Sequence, residues 1–263
     1  LRKSTENACF SFIRRQSGKF LGRYKRHLYR KRLRTRPELA PTRRWALRVM
    51  LVIITSMKQI INNSDTVIIV LHEIYGINAH ITGVCDRLAQ AKVDVLCPNL
   101  LGDRQEPFHY DEEALAYRHF MTEVGFSAAQ KEIEALARSV QAQYRYCFIV
   151  GYSIGATIAW LCSGNSGLFS GVVGVYGSRI SDYAFIEPKC PVLLCFPRAE
   201  ESFDVAELIR TLSGKNNVNL FKADASHGFA DPRSTKYCVE ASEALWQKKL
   251  EFMNVLRARS RSE

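Results

Sequence analysis

The stretch Gly151-Tyr152-Ser153-Ile154-Gly155 places a serine between two glycines, at the junction of two differently patterned segments. The run 146–150 before it is short and apolar, which is typical of a buried strand. The run 156–161 after it is small and apolar, which is typical of the start of a packed helix. A strand, a G-x-S-x-G turn and a helix are the parts of a nucleophile elbow, in which the serine hydroxyl is exposed at a sharp turn. The alternative is a serine that only caps a helix in a glycine-rich turn.

Further apolar runs predict a sheet around this stretch. Segments with the spacing of a helix alternate with these runs. In one of them the apolar residues recur at i, i+3, i+4 and i+7, as Ile133, Leu136, Ala137 and Val140. A similar apolar face near the C-terminus consists of Trp246, Leu250 and Met253. Strands that are apolar on both faces and separated by helices indicate a parallel sheet that is covered on both sides. We therefore predict an α/β fold with a mostly parallel central sheet and helices on both faces, formed by one domain over residues 57–263. The predicted strands are 66–71, 93–97, 146–150, 172–176, 191–196 and 218–221.

The positive charge of the chain is concentrated at its beginning. The formal net charge is +11, but residues 1–56 hold 16 Lys and Arg against only Glu6 and Glu38, while the remainder holds 21 basic and 24 acidic residues. We predict that residues 1–56 are a basic N-terminal extension that is disordered or precedes the native start at Met57. The alternative is an arm that tethers the domain to nucleic acid or to an anionic membrane surface. The apolar run 49–54 is too short to span a bilayer.

The eight cysteines do not have the spacing of a metal site or of a redox pair. Several lie inside apolar runs, where a free thiol behaves as a small hydrophobic group. This usage favours a reducing compartment, so we expect a cytoplasmic protein without a metal or a cofactor.

Three predicted strands are each followed by residues whose side chains can take part in catalysis. His72 and Glu73 follow the first strand, Ser153 follows the third and His227 follows the last. In a parallel sheet the carboxyl ends of the strands share one edge, so these residues are expected to lie near one another. His227 would remove the serine proton, and a carboxylate would hold its imidazole in the required tautomer. The loop after the run 191–196 supplies three candidates for this acid: Glu200, Glu201 and Asp204.

Four separated motifs resemble the dienelactone hydrolase family, over about residue 67 to the C-terminus. They are His72-Glu73-Ile74-Tyr75-Gly76, Pro98-Asn99-Leu100-Leu101-Gly102-Asp103-Arg104-Gln105, the elbow 151–155 and His227-Gly228-Phe229-Ala230. The spacing between the motifs agrees as well.

The resemblance implies an α/β-hydrolase fold with little or no lid, and a triad of Ser153, His227 and an acid. It also implies an oxyanion hole formed by the backbone N–H groups of Ile74 and Ile154, and a substrate-binding role for Glu73 and Arg104. Counting from Pro191 without gaps puts Glu200 at the place of the family's acid, whereas an insertion of one residue would put Glu201 there.

The chain also departs from the family pattern. The best-studied members have a cysteine nucleophile where this chain has Ser153, which favours general ester hydrolysis. Asp231 stands where the dienelactone-cleaving enzymes place a second arginine, and an aspartate would repel an anionic substrate. We therefore expect hydrolysis of a small ester or lactone through an acyl-enzyme. The alternative is a non-catalytic binding protein of the same fold.

Overall fold

This computed structural model describes the backbone of residues 57–262 and the burial of the side chains up to residue 259. The basic segment 1–56, and with it the choice between a disordered extension and a binding arm, lies outside the described residues. No helix between residues 57 and 262 has the length and apolar character needed to cross a bilayer.

A seven-stranded sheet is the centre of the described residues. In space the strands follow the order β1-β3-β2-β4-β5-β6-β7. All neighbours are parallel except β1, which pairs antiparallel with β3 at one edge. The strands are β1 Lys58–Ile60, β2 Thr66–Leu71, β3 Asp94–Cys97, β4 Tyr146–Tyr152, β5 Gly171–Val175, β6 Val192–Phe196 and β7 Val218–Lys222.

Six α-helices connect or follow these strands within the described residues. A π-helical turn, Phe120–Val124, continues the second of them, and short 3₁₀ turns occupy several connections. The helices are α1 Ala79–Ala89, α2 Glu113–His119, α3 Phe126–Val140, α4 Ile154–Ser163, α5 Val205–Ser213 and α6 Val239–Ser262.

The two faces of the sheet are covered by different helices. Alternate residues of β4, Phe148, Val150 and Tyr152, form a buried cluster with residues of α1 and α6. Helix α4 packs on β4 and β5 and helix α3 packs on α4, both apart from that cluster. The predicted α/β fold with a mostly parallel, doubly covered sheet is confirmed.

The carboxyl ends of the central strands present the candidate site residues at one edge of the sheet. Strand β2 leads into His72 and Glu73, β4 into Ser153 and β5 into Tyr176. The loops after β6 and β7 carry Glu200 and His227. The topology therefore gathers residues that are up to 155 positions apart in the sequence into one region.

Candidate active site

Ser153 occupies a strained turn between β4 and α4. Its backbone has φ 49° and ψ −114°, a conformation that non-glycine residues rarely adopt. The two glycines of the motif are required by close backbone approach. A Cβ on Gly155 would lie 2.5 Å from the Leu71 carbonyl oxygen, and a Cβ on Gly151 would lie 2.2 Å from that of Gly155. The strand–turn–helix predicted from the sequence is therefore present.

Backbone hydrogen bonds hold the turn in place. The Ser153 N–H donates to the Val175 carbonyl of β5 at 3.0 Å, and the Ser153 carbonyl accepts from Ala156 at 3.0 Å and from Thr157 at 3.2 Å. Ser153 as a whole residue is 9% exposed at the edge of the sheet. The hydroxyl is thus fixed by its backbone, close to the surface and beside the end of β5.

The proposed oxyanion donors flank this turn. Ile154 is the first residue of α4, so its N–H has no acceptor within the helix. Ile74 lies in the turn after β2, which the hydrogen bond from Gly76 N–H to the Glu73 carbonyl closes at 3.2 Å. Because Gly155 packs against the carbonyls of Leu71 and His72, the start of α4 adjoins this turn. The two N–H groups accordingly belong to neighbouring segments.

His227 and Glu200 form a hydrogen-bonded pair. His227 Nδ1 lies 2.7 Å from Glu200 Oε1, and the carboxylate side chain is only 8% exposed while the imidazole is 29% exposed. A carboxylate at Nδ1 selects the tautomer whose Nε2 is free to accept a proton. The pair therefore has the arrangement of a general base with its orienting acid.

The other two acid candidates have different surroundings. Glu201 is exposed. Asp204 caps α5, where its carboxylate accepts from the N–H groups of Ala206 at 2.8 Å and Glu207 at 3.1 Å. Of the three carboxylates left open by the sequence, Glu200 is the one that contacts His227.

Tyr176 connects this pair to the serine turn. It follows Val175, which accepts the Ser153 N–H, and its ring centroid lies 4.8 Å from that of His227. Its φ of 41° is unusual for a bulky residue, and such strain concentrates at functional sites. No hydrogen bond joins Ser153 to His227 within the described residues. Tyr176 was not predicted, because its position depends on the packing of β5 against two loops.

Glu73 is a buried carboxylate beside this site. It is 5% exposed, and burial, followed by the charge of Asp231, raises its pKa to about 7. A nearby His227 charge opposes this shift. Glu73 is therefore protonated in a large fraction of molecules near neutral pH and can act there as a hydrogen-bond donor.

Asp231 closes the same region from the loop after β7. It is 2% exposed, accepts from the Tyr110 hydroxyl at 2.6 Å and from the Arg233 N–H at 2.8 Å. The Tyr110 ring in turn lies 4.9 Å from that of Tyr75. The sequence contains no local signal for these contacts, since Tyr110 and Asp231 are 121 positions apart.

Arg104 lies in the loop after β3. Its Nε donates to the Glu106 carbonyl at 2.9 Å, and its guanidinium stacks at 3.9 Å over the Phe108 ring. Neither contact involves Glu73. The structure places Arg104 on a wall of the loop region, in a conformation fixed by its own neighbours in the sequence.

His72 joins the two loops that bear these side chains. It donates from Nδ1 to the Glu73 carbonyl at 2.6 Å and accepts at Nε2 from the Leu100 N–H at 2.8 Å. Burial lowers its pKa to about 4, so the imidazole is neutral and can accept at Nε2. It thereby couples the turn of Ile74 to the loop of Arg104, a positioning role that the sequence did not reveal.

Between residues 57 and 262 no group of three or more His, Cys, Asp or Glu side chains is arranged to hold a metal ion.

Comparison with known proteins gives consistent matches over this domain. Residues 53–256 match the model of the dienelactone hydrolase family. The chain is 43% identical over 172 residues to the uncharacterized protein YczH of Bacillus subtilis, which covers 65% of this chain and 83% of YczH. It is 24% identical over 208 residues to carboxymethylenebutenolidase 1 of Cupriavidus pinatubonensis, covering 74% of this chain and 88% of that protein.

Solved structures share the fold. The crystal structure of dienelactone hydrolase from Anabaena variabilis superimposes with a TM-score of 0.55 at 19% identity, covering 75% of this chain and 91% of that one. At this identity the likeness concerns the fold alone.

Proposed function

Because the chain belongs to the dienelactone hydrolase family, we propose that it hydrolyses a small ester or lactone through Ser153, His227 and Glu200. The observation that carries the proposal is the 2.7 Å contact between His227 Nδ1 and Glu200 Oε1, at the edge of the sheet that also bears the strained Ser153 turn. The confirmed family and fold support an ester or lactone hydrolase. The assignment of Ser153, His227 and Glu200 as the catalytic triad goes beyond this and is our proposal.

In the first half-reaction Ser153 Oγ attacks the carbonyl carbon, and His227 Nε2 takes the hydroxyl proton. The negative charge on the carbonyl oxygen is received by the N–H groups of Ile154 and Ile74. Removing one such donor typically costs about 10²- to 10³-fold in kcat. Collapse of the intermediate breaks the ester bond, and His227 returns the proton to the departing alkoxide, which leaves an acyl-enzyme on Ser153.

In the second half-reaction water replaces the alcohol. His227 accepts a proton from the water as its oxygen attacks the acyl carbon, and then returns that proton to Ser153 Oγ as the acyl-enzyme bond breaks. Glu200 orients the imidazole and stabilises its charged form in both halves. The products are a carboxylic acid and an alcohol, or a hydroxy acid from a lactone.

The acidic groups around the site bear on the choice of substrate. Glu73 and Asp231 are close enough for the charge of Asp231 to raise the pKa of Glu73, and both are buried. A negatively charged substrate would meet the buried Asp231 carboxylate at low dielectric, and its charge would also oppose ionisation of Glu73, so its binding is unfavourable. We therefore propose a neutral ester or lactone in preference to an anionic one.

The cysteines support a cytoplasmic location for this activity. All seven cysteines in the described part of the chain are free, and six of them are buried. Buried free thiols are typical of proteins in a reducing compartment.

The proposal is tested by labelling with a fluorophosphonate, which reacts with activated serines. The probe should attach at Ser153, and turnover of p-nitrophenyl acetate should fall by at least about 10³-fold in Ser153→Ala. Ser226→Ala is the matched control, because Ser226 is exposed and adjacent to His227; it should keep both labelling and turnover. Labelling of an active preparation at another residue would refute the mechanism.

A further inference from the structure

A cavity lies beside Tyr152, between α1, α6 and the loop after His227. Its volume is about 240 Å³, and neither Ser153, His227 nor Glu200 lines it. Tyr152, which precedes Ser153 in the chain, forms one wall, and Leu245 and Trp246 of α6 form another. The cavity is therefore distinct from the proposed active site, although one wall is shared with the elbow.

The charged groups that line this cavity all have one sign. Arg87, Arg233 and Lys249 are basic, and none of the lining residues is Asp or Glu. Arg87 pairs with Glu243 at 2.6 Å across the surface of α6. Arg233 is exposed and forms no ion pair with a described residue. Of the three basic residues, only Arg87 therefore has a carboxylate partner, and neither Arg233 nor Lys249 forms an ion pair with a described residue.

Lys249 brings an amine into the interior of this site. The residue is 2% exposed, and its Nζ donates to the Tyr152 hydroxyl at 2.6 Å and lies 4.6 Å from the centroid of the Trp246 ring. Burial, followed by the charge of Arg87, lowers its pKa to about 7, against the opposing influence of Cys195 and Glu243. An anion beside the amine would offset the cost of its charge.

His80 adds an unpaired polar atom to the wall. It is 4% exposed, and its Nε2 has no hydrogen-bond partner within the described residues, while its Nδ1 lies 3.9 Å from Asp231. Buried polar atoms of this kind are nearly always satisfied in native proteins, so an orphan that lines a cavity points to a missing partner.

We infer that this cavity binds a small aromatic carboxylate, with the carboxylate received by Lys249 and Arg233 and the ring received by Leu245 and Trp246. The cavity is too small for a drug-sized ligand, and its combination of apolar walls with a few polar groups is typical of small-molecule sites. A carboxylate can accept hydrogen bonds from both cations, whereas a neutral amide of the same shape would leave them without a counter-charge.

Binding to this cavity is tested with benzoate as the probe and with the full chain, whose proposed active site is left unmodified. Trp246 reports on the site through its indole N–H resonance, which is assigned by comparison with Trp246→Phe. Benzoate should shift this resonance saturably. Trp160 is the internal control, because it is fully buried and its indole donates to the Tyr183 carbonyl at 2.9 Å, away from the cavity.

The matched ligand is benzamide, which has nearly the same shape without the charge and should bind at least about 10-fold more weakly, as expected for loss of hydrogen bonds to charged groups. Lys249→Met and Arg233→Ala should each weaken benzoate binding, Lys249→Met by about 10-fold or more. Calorimetry at pH 8 in buffers of different ionisation enthalpy should also show proton uptake on binding, and Lys249→Met should abolish it.

Equal binding of benzoate and benzamide, or a shift of Trp160 without one of Trp246, would overturn the inference. So would unchanged affinity in Arg233→Ala. This variant alters an exposed side chain, so it keeps the test decisive if Lys249→Met does not fold.

Discussion

Glu200 and Glu201 are adjacent in the chain, but the fold places their carboxylates in different environments. One is nearly buried against His227 and the other is exposed to solvent. We expect Glu200→Gln to lower kcat by about 10³- to 10⁴-fold, since the amide favours the wrong imidazole tautomer and does not stabilise the imidazolium. Initial rates with p-nitrophenyl acetate measure the effect.

Glu201→Gln is the matched control for this variant, because the same chemical change occurs one position further along the chain. We expect it to keep kcat within about twofold of the wild type, in line with substitutions at exposed positions. Retained kcat in Glu200→Gln together with a large loss in Glu201→Gln would mean that the loop adopts another register in solution and that Glu200 is not the acid.

For single residues, the sequence indicated the candidate nucleophile and base more readily than the residues that contact them. Ser153 and His227 could be predicted because each is marked by glycines in a recognisable turn. Among the three acids the sequence favoured Glu200, with Glu201 as the alternative, only through a count of residues from Pro191. The residues themselves do not show that Asp204 caps α5 or that Glu200 is the carboxylate that contacts His227. The neighbours Tyr110 and Tyr176 lack a local pattern, since their positions follow from tertiary packing.

At the level of elements, the β4–α4 junction leaves no room for an added Cβ at either of its glycines. Gly155 is helical, yet a Cβ there would meet backbone oxygens of Leu71 and His72 at 2.5 and 2.7 Å, and a strand backbone in the centre of a sheet cannot withdraw. We expect Gly155→Ala to lower the free energy of unfolding by about 1–3 kcal/mol or more, as for other overpacked cores. Urea unfolding followed by circular dichroism measures this loss.

Gly83 of α1 provides the opposite case. It is also a glycine inside a helix, but a Cβ at this position meets nothing within 4 Å. Gly83→Ala should therefore raise the free energy of unfolding by roughly 0.5–1 kcal/mol through helix propensity alone. A Gly155→Ala protein as stable as the wild type would show that the elbow packs less tightly than these distances indicate.

Five of the six strands that the sequence predicted, β2 to β6, are buried at every position, and the sixth, β7, is at least partly exposed along its length. Strand β4 is buried at every position, so its apolar run could be recognised without regard to a period. Strand β1 was not predicted. It has three residues, Lys58 to Ile60, which are all partly exposed, and it exists through antiparallel pairing with β3 at the sheet edge. A strand that depends on its partner leaves little trace in its own sequence.

For the molecule as a whole, Lys249 links folding to pH. Its pKa falls from 10.5 to about 7 on folding, so between these values the native state binds fewer protons than the unfolded state. Below pH 7 the Lys249 amine is protonated in both the native and the unfolded state, and the full cost of burying its charge lowers the free energy of unfolding. This cost disappears as the pH approaches 10.5, where the amine has lost its proton in both states. The contribution of Lys249 to stability must therefore rise with pH by up to about 1.4 kcal/mol per pH unit.

The test is the difference in unfolding free energy between the wild type and Lys249→Met, measured by urea at several values from pH 7 to pH 10. Buried tyrosines and cysteines whose pKa does not depend on Lys249, such as Tyr176 and Cys147, destabilise the native state relative to the unfolded one as alkaline pH ionises the unfolded chain, but both proteins share this effect and it cancels. We expect the difference to move in favour of the wild type by about 4 kcal/mol at most. Lys248→Met, which removes an exposed neighbour, should show no such trend. A flat difference for Lys249→Met would mean that the amine reaches solvent, and the buried contact with Tyr152 could then not persist in the folded protein.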